Sequence, residues 1–375
     1  MEVMVGVNWK ATAVAAALGV LATTATAAAD TGGWTRVAAP ESGLEYLLED
    51  VSAVGPDLAY AVGMGESAGG LILLRWDGSA WRHEEGLPER TGYSALFGVH
   101  ARGGGVLAAG QDWVSGAMRP LLLAQRGGVW TKAVGVVPNG EQARLSDVAF
   151  GSDSTGWAVG REGSGLTRRP VAHRWNGTAL ERFALPSAGT YAGAKGVSGT
   201  SAGDVWAVGT DGGLAGAASR GVSWRWNGVA WREVPVPTFG AHQVELTDVV
   251  ATGTGVWAVG RADGRPLAVS WTGSAWTEVK MPLAAAGTRI NAAADDGRGG
   301  LWVAGETKVG CESMPFLGHH LAGDWRTESP EGLAHSSMRG ITAVPGTATA
   351  WSTGRYFRVG GFCYGGCRAT IAALG

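Results

Sequence analysis

The chain has 375 residues, of which 63 are Gly, 18 are Trp and only 17% are charged, with a formal net charge of −2. So little charge beside 45% hydrophobic residues excludes a disordered chain, and the near-neutral balance excludes the basic face of a nucleic-acid binder. Glycine at about one residue in six costs about 1 kcal/mol at each helix-interior site, which leaves many short strands joined by tight turns.

At the N-terminus, residues 11–29 read ATAVAAALGVLATTATAAA, without charge and preceded by Lys10. The apolar run from Ala11 to Ala22 has the length of a signal-peptide core and is too short to span a bilayer. Ala25-Thr26-Ala27 or Ala27-Ala28-Ala29 then offers a cleavage site. The expectation is a signal peptide over 1–29 and an exported, extracellular domain over 30–375. No later apolar run is long enough for a membrane helix, so no membrane insertion is expected. Only five of the 30 basic residues are Lys, a coding bias that suggests a high-GC bacterial genome.

Beyond residue 30 one phrase recurs: LAYAVG (58–63), VLAAG (106–110), GWAVG (156–160), VWAVG (205–209 and 256–260), LWVAG (301–305) and AWSTG (350–354). Its closing glycines, Gly63 to Gly354, are spaced 47, 50, 49, 51, 45 and 49 residues apart. A second phrase falls between them, as in RWDGSAW (75–81), RWNGTAL (174–180) and RWNGVAW (225–231). A third precedes each first phrase, as in LEDVSAV, LSDVAFG and LTDVVAT. Each period parses into four strands, a to d, with Asp77-Gly78, Asn176-Gly177 and Asn227-Gly228 expected as two-residue type I′ turns between c and d. A four-stranded unit of 45–51 residues is a propeller blade, so the fold expected is all-β, a seven-bladed β-propeller.

The chain stops at ATIAALG (369–375), a strand c whose strand d is missing, while an unmatched strand d, GWTRV (33–37), follows the cleavage site. The ring is therefore expected to close by pairing of the two ends, which removes an open sheet edge. This pattern resembles the secreted, actinobacterial-type β-propeller repeat proteins with D-V-W-A-V-G and W-[DN]-G-x-x-W phrases. It lacks the WD40 G-H…W-D pairing and the kelch Gly-Gly doublet, and Asp77 to Trp81 is one step shorter than the Asp-box of sialidases.

Fifteen of the 18 Trp fall in register on strands b, c and d and read as packing between blades. Asp50, Asp147 and Asp248 repeat at one register of strand a, which points to a structural role, accepting turn N–H groups. No His, Ser or Gly-rich pattern of a metal, triad or phosphate site appears, so no cofactor and no metal are expected. What breaks the repeat lies after the strand-b glycine, in expected b–c loops: Trp113, Arg161, Arg261, Glu306, Arg355, Tyr356, Arg358 and Tyr364. Of these, Arg161, Arg261 and Arg355 are the candidates for one carboxylate- or phosphate-binding group. The longest such loops, 305–318 and 354–367, also hold Phe316, Phe357, Phe362 and all three cysteines, Cys311, Cys363 and Cys367. Oxidation after export is expected to pair two of them. The reading is a monomeric, non-catalytic binding protein for an extracellular glycan, peptide or cell-surface ligand. A sialidase-like hydrolase, using the three arginines with Tyr356 and Glu306, and a purely structural role are the alternatives.

Overall fold

The repeated phrases fold into seven four-stranded antiparallel sheets, a seven-bladed β-propeller. The structure, a computed structural model, describes residues 33–375 apart from 42–44, 66–69, 90–91, 153–154, 188, 213–217, 283, 286, 311, 329, 331 and 358–366. The signal segment expected over 1–29 lies outside the described residues. Blade 1 comprises Tyr46–Gly55, Leu58–Gly65, Leu71–Trp76 and Trp81–His83 as strands a to d. Blades 2 to 6 follow over 94–134, 142–184, 193–234, 244–278 and 288–328. Blade 7 takes Ser336–Ala343, Ala350–Phe357 and Cys367–Leu374 from the end of the chain and Trp34–Val37 from its beginning. Trp34 stands opposite Leu374 and Val37 opposite Ile371, so the expected closure forms. Among the described residues the one helical element is the short turn Pro138–Gly140.

The strand-b glycine repeats for a steric reason. In every blade the pairing of strands a and b slips by one residue opposite it, as between Leu48 and Asp50 or between Leu145 and Asp147. This β-bulge turns a strand-a carbonyl toward strand b. At Gly63, Gly160 and their five counterparts a Cβ would overlap that oxygen (that of Leu47, of Arg144 and so on). The extra residue of each bulge, Glu49, Phe97, Ser146, Lys195, Thr247, Asn291 and Arg339 in blade order, is left unpaired at the propeller's centre.

Tryptophan fastens blade to blade. The strand-b Trp157 of blade 3 meets Trp226 and Trp231 of blade 4 at 4.8 and 5.1 Å between ring centroids. Trp206 of blade 4 does the same with Trp271 and Trp276 of blade 5, and Trp351 of blade 7 with Trp76 and Trp81 of blade 1. The contacts to the strand-d Trp are edge-to-face and those to the strand-c Trp are tilted, so these large rings give both area and orientation. Blade 2, which lacks a strand-b Trp, uses Leu107 against Trp175 and Leu180.

Two local expectations are corrected. At the Asp77, Asn176 and Asn227 turns the backbone is positive in φ only at the following glycine, not at the Asp or Asn, so a type I′ turn is not formed there. Instead the side chain folds back: Asp77 Oδ1 accepts the Ser79 and Ala80 amides, both at 2.9 Å, and Asn176 and Asn227 act alike. Such Asx turns satisfy the amides more directly than a positive φ at a branched side chain would. Two consecutive positive φ values, which a type I′ turn requires, occur between paired strands at Ser115-Gly116, Gly127-Gly128, Asp263-Gly264 and Ala322-Gly323. Second, strand b does not stop at its glycine but runs on, to Ser164 in blade 3 and Val309 in blade 6. The segment 305–318 is thus a hairpin, with Val309 opposite Glu312, and its Phe316, like Phe357 of blade 7, is buried.

Candidate functional site

The first strands of all seven blades surround a central cavity of about 780 Å³. Its charge is layered. Toward the end where strand b leaves each blade stand Arg144, Lys195, Arg289 and Arg339 against Glu49 and Glu245; deeper lie Asp50, Asp147 and Asp248. The mouth is therefore basic and the middle acidic.

Each deep aspartate spends both oxygens on backbone. Asp50 Oδ1 accepts the amide of Val51 and Oδ2 that of Val99 in the next blade, both at 2.8 Å. Asp147 bridges Val148 to Val197, and Asp248 bridges Val249 to Ala293. The role is structural, as the repetition implied, but the partner is the neighbouring blade's inner strand rather than a turn. At the other junctions His100 Nδ1 accepts from Phe150, Ser198 from Ala251 and Thr342 from Ala53, and Asn291 Nδ2 donates to the Met338 carbonyl at 2.8 Å. All seven junctions thus carry a side-chain bond to the next inner strand. Burial pushes Asp147 up to about 7 and Asp248 up to about 8, the latter with repulsion from Asp147 added. Asp50 is raised for the same two reasons.

The candidate residues from the sequence all follow a strand-b glycine, so those described share the end of the ring that holds the mouth. Trp113 stands near the end of Gly105–Val114 and is 40% exposed. Arg161, Arg261, Glu306 and Arg355 lie within strands rather than in loops, because strand b continues past its glycine. They do not converge as one group. Arg261 pairs with Glu245 of its own blade, which also takes Lys195 from blade 4. Glu306 is buried, pairs with Lys308 at 3.2 Å and stands opposite Arg289. Arg161 stands opposite Arg144. Tyr356 is half-buried, with the Arg36 guanidinium 5.3 Å from its ring centre. Arg358, Tyr364, Phe362, Cys311 and Cys363 lie outside the described residues, and Cys367 opens the last strand opposite Phe357.

Several mouth residues were missed by the sequence reading. Arg144, Arg289 and Glu245 precede the Leu or Ile of the strand-a phrase, and Lys195 and Arg339 fill the bulge after it. The available signal was that these positions flank a repeated apolar residue yet vary from blade to blade. Tyr93, 41% exposed, was also missed; its carbonyl accepts the Trp113 amide at 3.0 Å, which sets two exposed aromatics side by side on blade 2.

No protein-family model matches the chain, and no curated protein matches its sequence. Solved structures do match over most of its length. YCF48 bound to D1 peptide is 14% identical, covering 92% of this chain and 96% of that one with a TM-score of 0.59. YCF48 from Cyanidioschyzon merolae is 13% identical over 91% of this chain and 98% of its own, with a TM-score of 0.54. The Myceliophteria thermophila Cps50 (Swd1) β-propeller domain is 11% identical over the same shares, at 0.53. The shared property is the propeller fold. Among the described residues no helix is long and apolar enough to cross a membrane.

Proposed function

We propose that the protein is an exported, non-catalytic binding protein whose ligand sits on the channel mouth at the strand-b end of the ring. The observation that carries this reading is the pair of exposed aromatics, Tyr93 and Trp113, on the same end as a basic mouth. Exposed aromatic area next to unlike charged positions is what an interaction surface needs; the Tyr93 hydroxyl touches Met64 Sδ of blade 1 at 3.6 Å, and both rings still present a large part of their surface to solvent. The hydrolase reading has less support. Its acid, Glu306, is buried and paired with Lys308; Glu49 and Glu245 at the mouth are paired with Arg339 and with Lys195 and Arg261; and Asp50, Asp147 and Asp248 are each bonded on both oxygens to backbone amides. A peptide or protein ligand is favoured over a glycan, since a propeller of similar fold is known holding a peptide.

Peptide and glycan arrays probed with the mature protein identify the ligand. Trp113→Ala, Tyr93→Ala and Tyr356→Ala are then expected to weaken it, about tenfold or more for the strongest. Val229→Glu, on an exposed c–d turn at the outer rim, is expected to leave it unchanged. The opposite pattern moves the site to the rim and defeats the reading.

A further inference from the structure

Blade 3 carries six arginines between Arg144 and Arg182, and they divide sharply. Arg169 and Arg182 share Glu162, Arg169 also takes Glu141, and Arg174 takes Glu181. Arg144, Arg161 and Arg168 make no ion pair among the described residues. Yet these three are half-buried and line one cavity of about 130 Å³, room for about four waters at roughly 30 Å³ each. Arg144 lines the central channel too, so the small cavity adjoins the mouth.

Arg144 and Arg161 stand directly opposite each other on strands a and b, where like charges repel. At the same position the other six blades place no two like charges: Leu47 stands with Met64, Ala95 with Gln111, Gly193 with Thr210 and Ser337 with Arg355, and opposite charges meet in Glu245 with Arg261 and Arg289 with Glu306. Arg168 reaches in from strand c and donates to the Tyr191 hydroxyl at 2.6 Å. The Arg144 guanidinium lies 5.0 Å from the Phe97 ring centre, with its Nε buried and without a hydrogen-bond partner. Burial, then the two neighbouring guanidiniums, pull Arg161 down to about 10. Glu162 also lines the cavity, but its carboxylate is held by Arg182. Three guanidiniums without an ion pair around one small cavity match a planar or tetrahedral oxyanion.

We propose that Arg144, Arg161 and Arg168 form a receptor for one oxyanion, a carboxylate or phosphate group carried by the ligand. This rests on the mouth being the binding surface and assigns it a chemistry.

The test is calorimetric titration and thermal melting of the mature protein with inorganic phosphate, sulfate and acetate, at constant ionic strength held with chloride. Saturable binding of phosphate or acetate, with a rise in melting temperature, is expected. A preference for phosphate assigns a phosphorylated group as the source, and a preference for acetate assigns a carboxylate. Arg161→Gln is expected to weaken the anion about tenfold or more, since a charge-assisted bond is lost. It should also melt higher than the wild type without anion, because a like-charged pair is relieved; a merely structural arginine would melt lower. Arg161→Lys keeps the charge, loses the fork, and should fall between. Arg82→Gln, in an exposed pair with Asp77, controls for general charge. No saturable binding to the wild type, or an equal response in Arg161→Gln and Arg82→Gln, overturns the proposal. The phosphate arm does not involve the unknown partner, so its failure leaves the mouth reading standing. Anion binding that persists when Trp113→Ala leaves partner binding unchanged counts instead against the mouth.

Discussion

His173 is fully buried in strand c of blade 3, and neither ring nitrogen has a hydrogen-bond partner. Burial pulls it down to about 4; Glu162 opposes the shift and Arg182 adds to it. The unfolded chain protonates near 6.5, so the neutral ring contributes stability that is complete above 6.5 and is lost as pH falls from 6.5 to 4. The loss is about 3 kcal/mol at 1.36 kcal/mol per unit. His100, also pulled to about 4, adds to the same acid branch. Raised Asp147 and Asp248 act in the opposite sense, favouring the folded ring at low pH and losing that effect as pH rises through about 7 to 8. Melting curves of His173→Leu against wild type isolate the histidine: the variant should fall less steeply between pH 6.5 and 4, and parallel curves would contradict the assignment. A second residue pattern concerns the position after each bulge, which reads Asp50, Gly98, Asp147, Gly196, Asp248, Ala292 and Gly340 around the ring. A Cβ on Gly98 would come 2.6 Å from Asp147 Cα, and one on Gly340 equally close to Asp50 Cα. Aspartate and a side-chain-free neighbour therefore alternate, and an odd ring must break the alternation once, at Ala292 and Gly340. There Asn291 supplies the bond to blade 7 instead. Gly98→Ala should destabilise by about 1–3 kcal/mol in urea unfolding, whereas an unchanged midpoint would mean the close approach is not as tight as described.

At the scale of elements, the blade and its strand order were legible in the sequence because the blades bury large apolar residues, mostly Trp, with Ala and Val at the same positions in the same order. Bulges were not legible: they show only as a repeated glycine whose reason is the carbonyl opposite it. Strand lengths were underread for a related cause. Backbone pairing continues past that glycine without any repeated residue type to announce it, as in Leu301–Val309. Turn chemistry was misread where a side chain could satisfy amides that a two-residue turn would otherwise order. The candidate site was legible as a region, the strand-b end of the ring, but not as a grouping. Whether an arginine faces a carboxylate or another arginine depends on residues in other phrases: Glu245 stands opposite Arg261, and Arg144 opposite Arg161. In the sequence, Cys311 follows the blade 6 glycine Gly305, and Cys363 and Cys367 follow the blade 7 glycine Gly354. If the protein is exported as proposed, mass spectrometry after alkylation of native material should find at least one disulfide among the three. Three free thiols would count against export.

For the whole molecule, closure is the mechanical commitment of the fold. Trp34–Val37 is the outer strand of blade 7, and buried Trp34 packs 6.0 Å from Trp302 of blade 6. A chain lacking residues 33–38 should expose the edge of Cys367–Leu374, melt lower and self-associate; light scattering and a melting point equal to those of the intact protein would show that the ring does not depend on its N-terminal strand. A closed, rigid ring also bears on function. The seven inner-strand junctions hold the mouth residues in place before any ligand arrives, which lowers the ordering cost of binding. The most direct measurement is hydrogen–deuterium exchange of the protein with and without the ligand selected on the arrays. Slowed exchange is expected at the strand-b ends and the mouth, around residues 111–114, 144–146 and 161–168. Protection confined to the outer c–d turns, around 77–80 and 176–179, would contradict a binding site at the channel mouth.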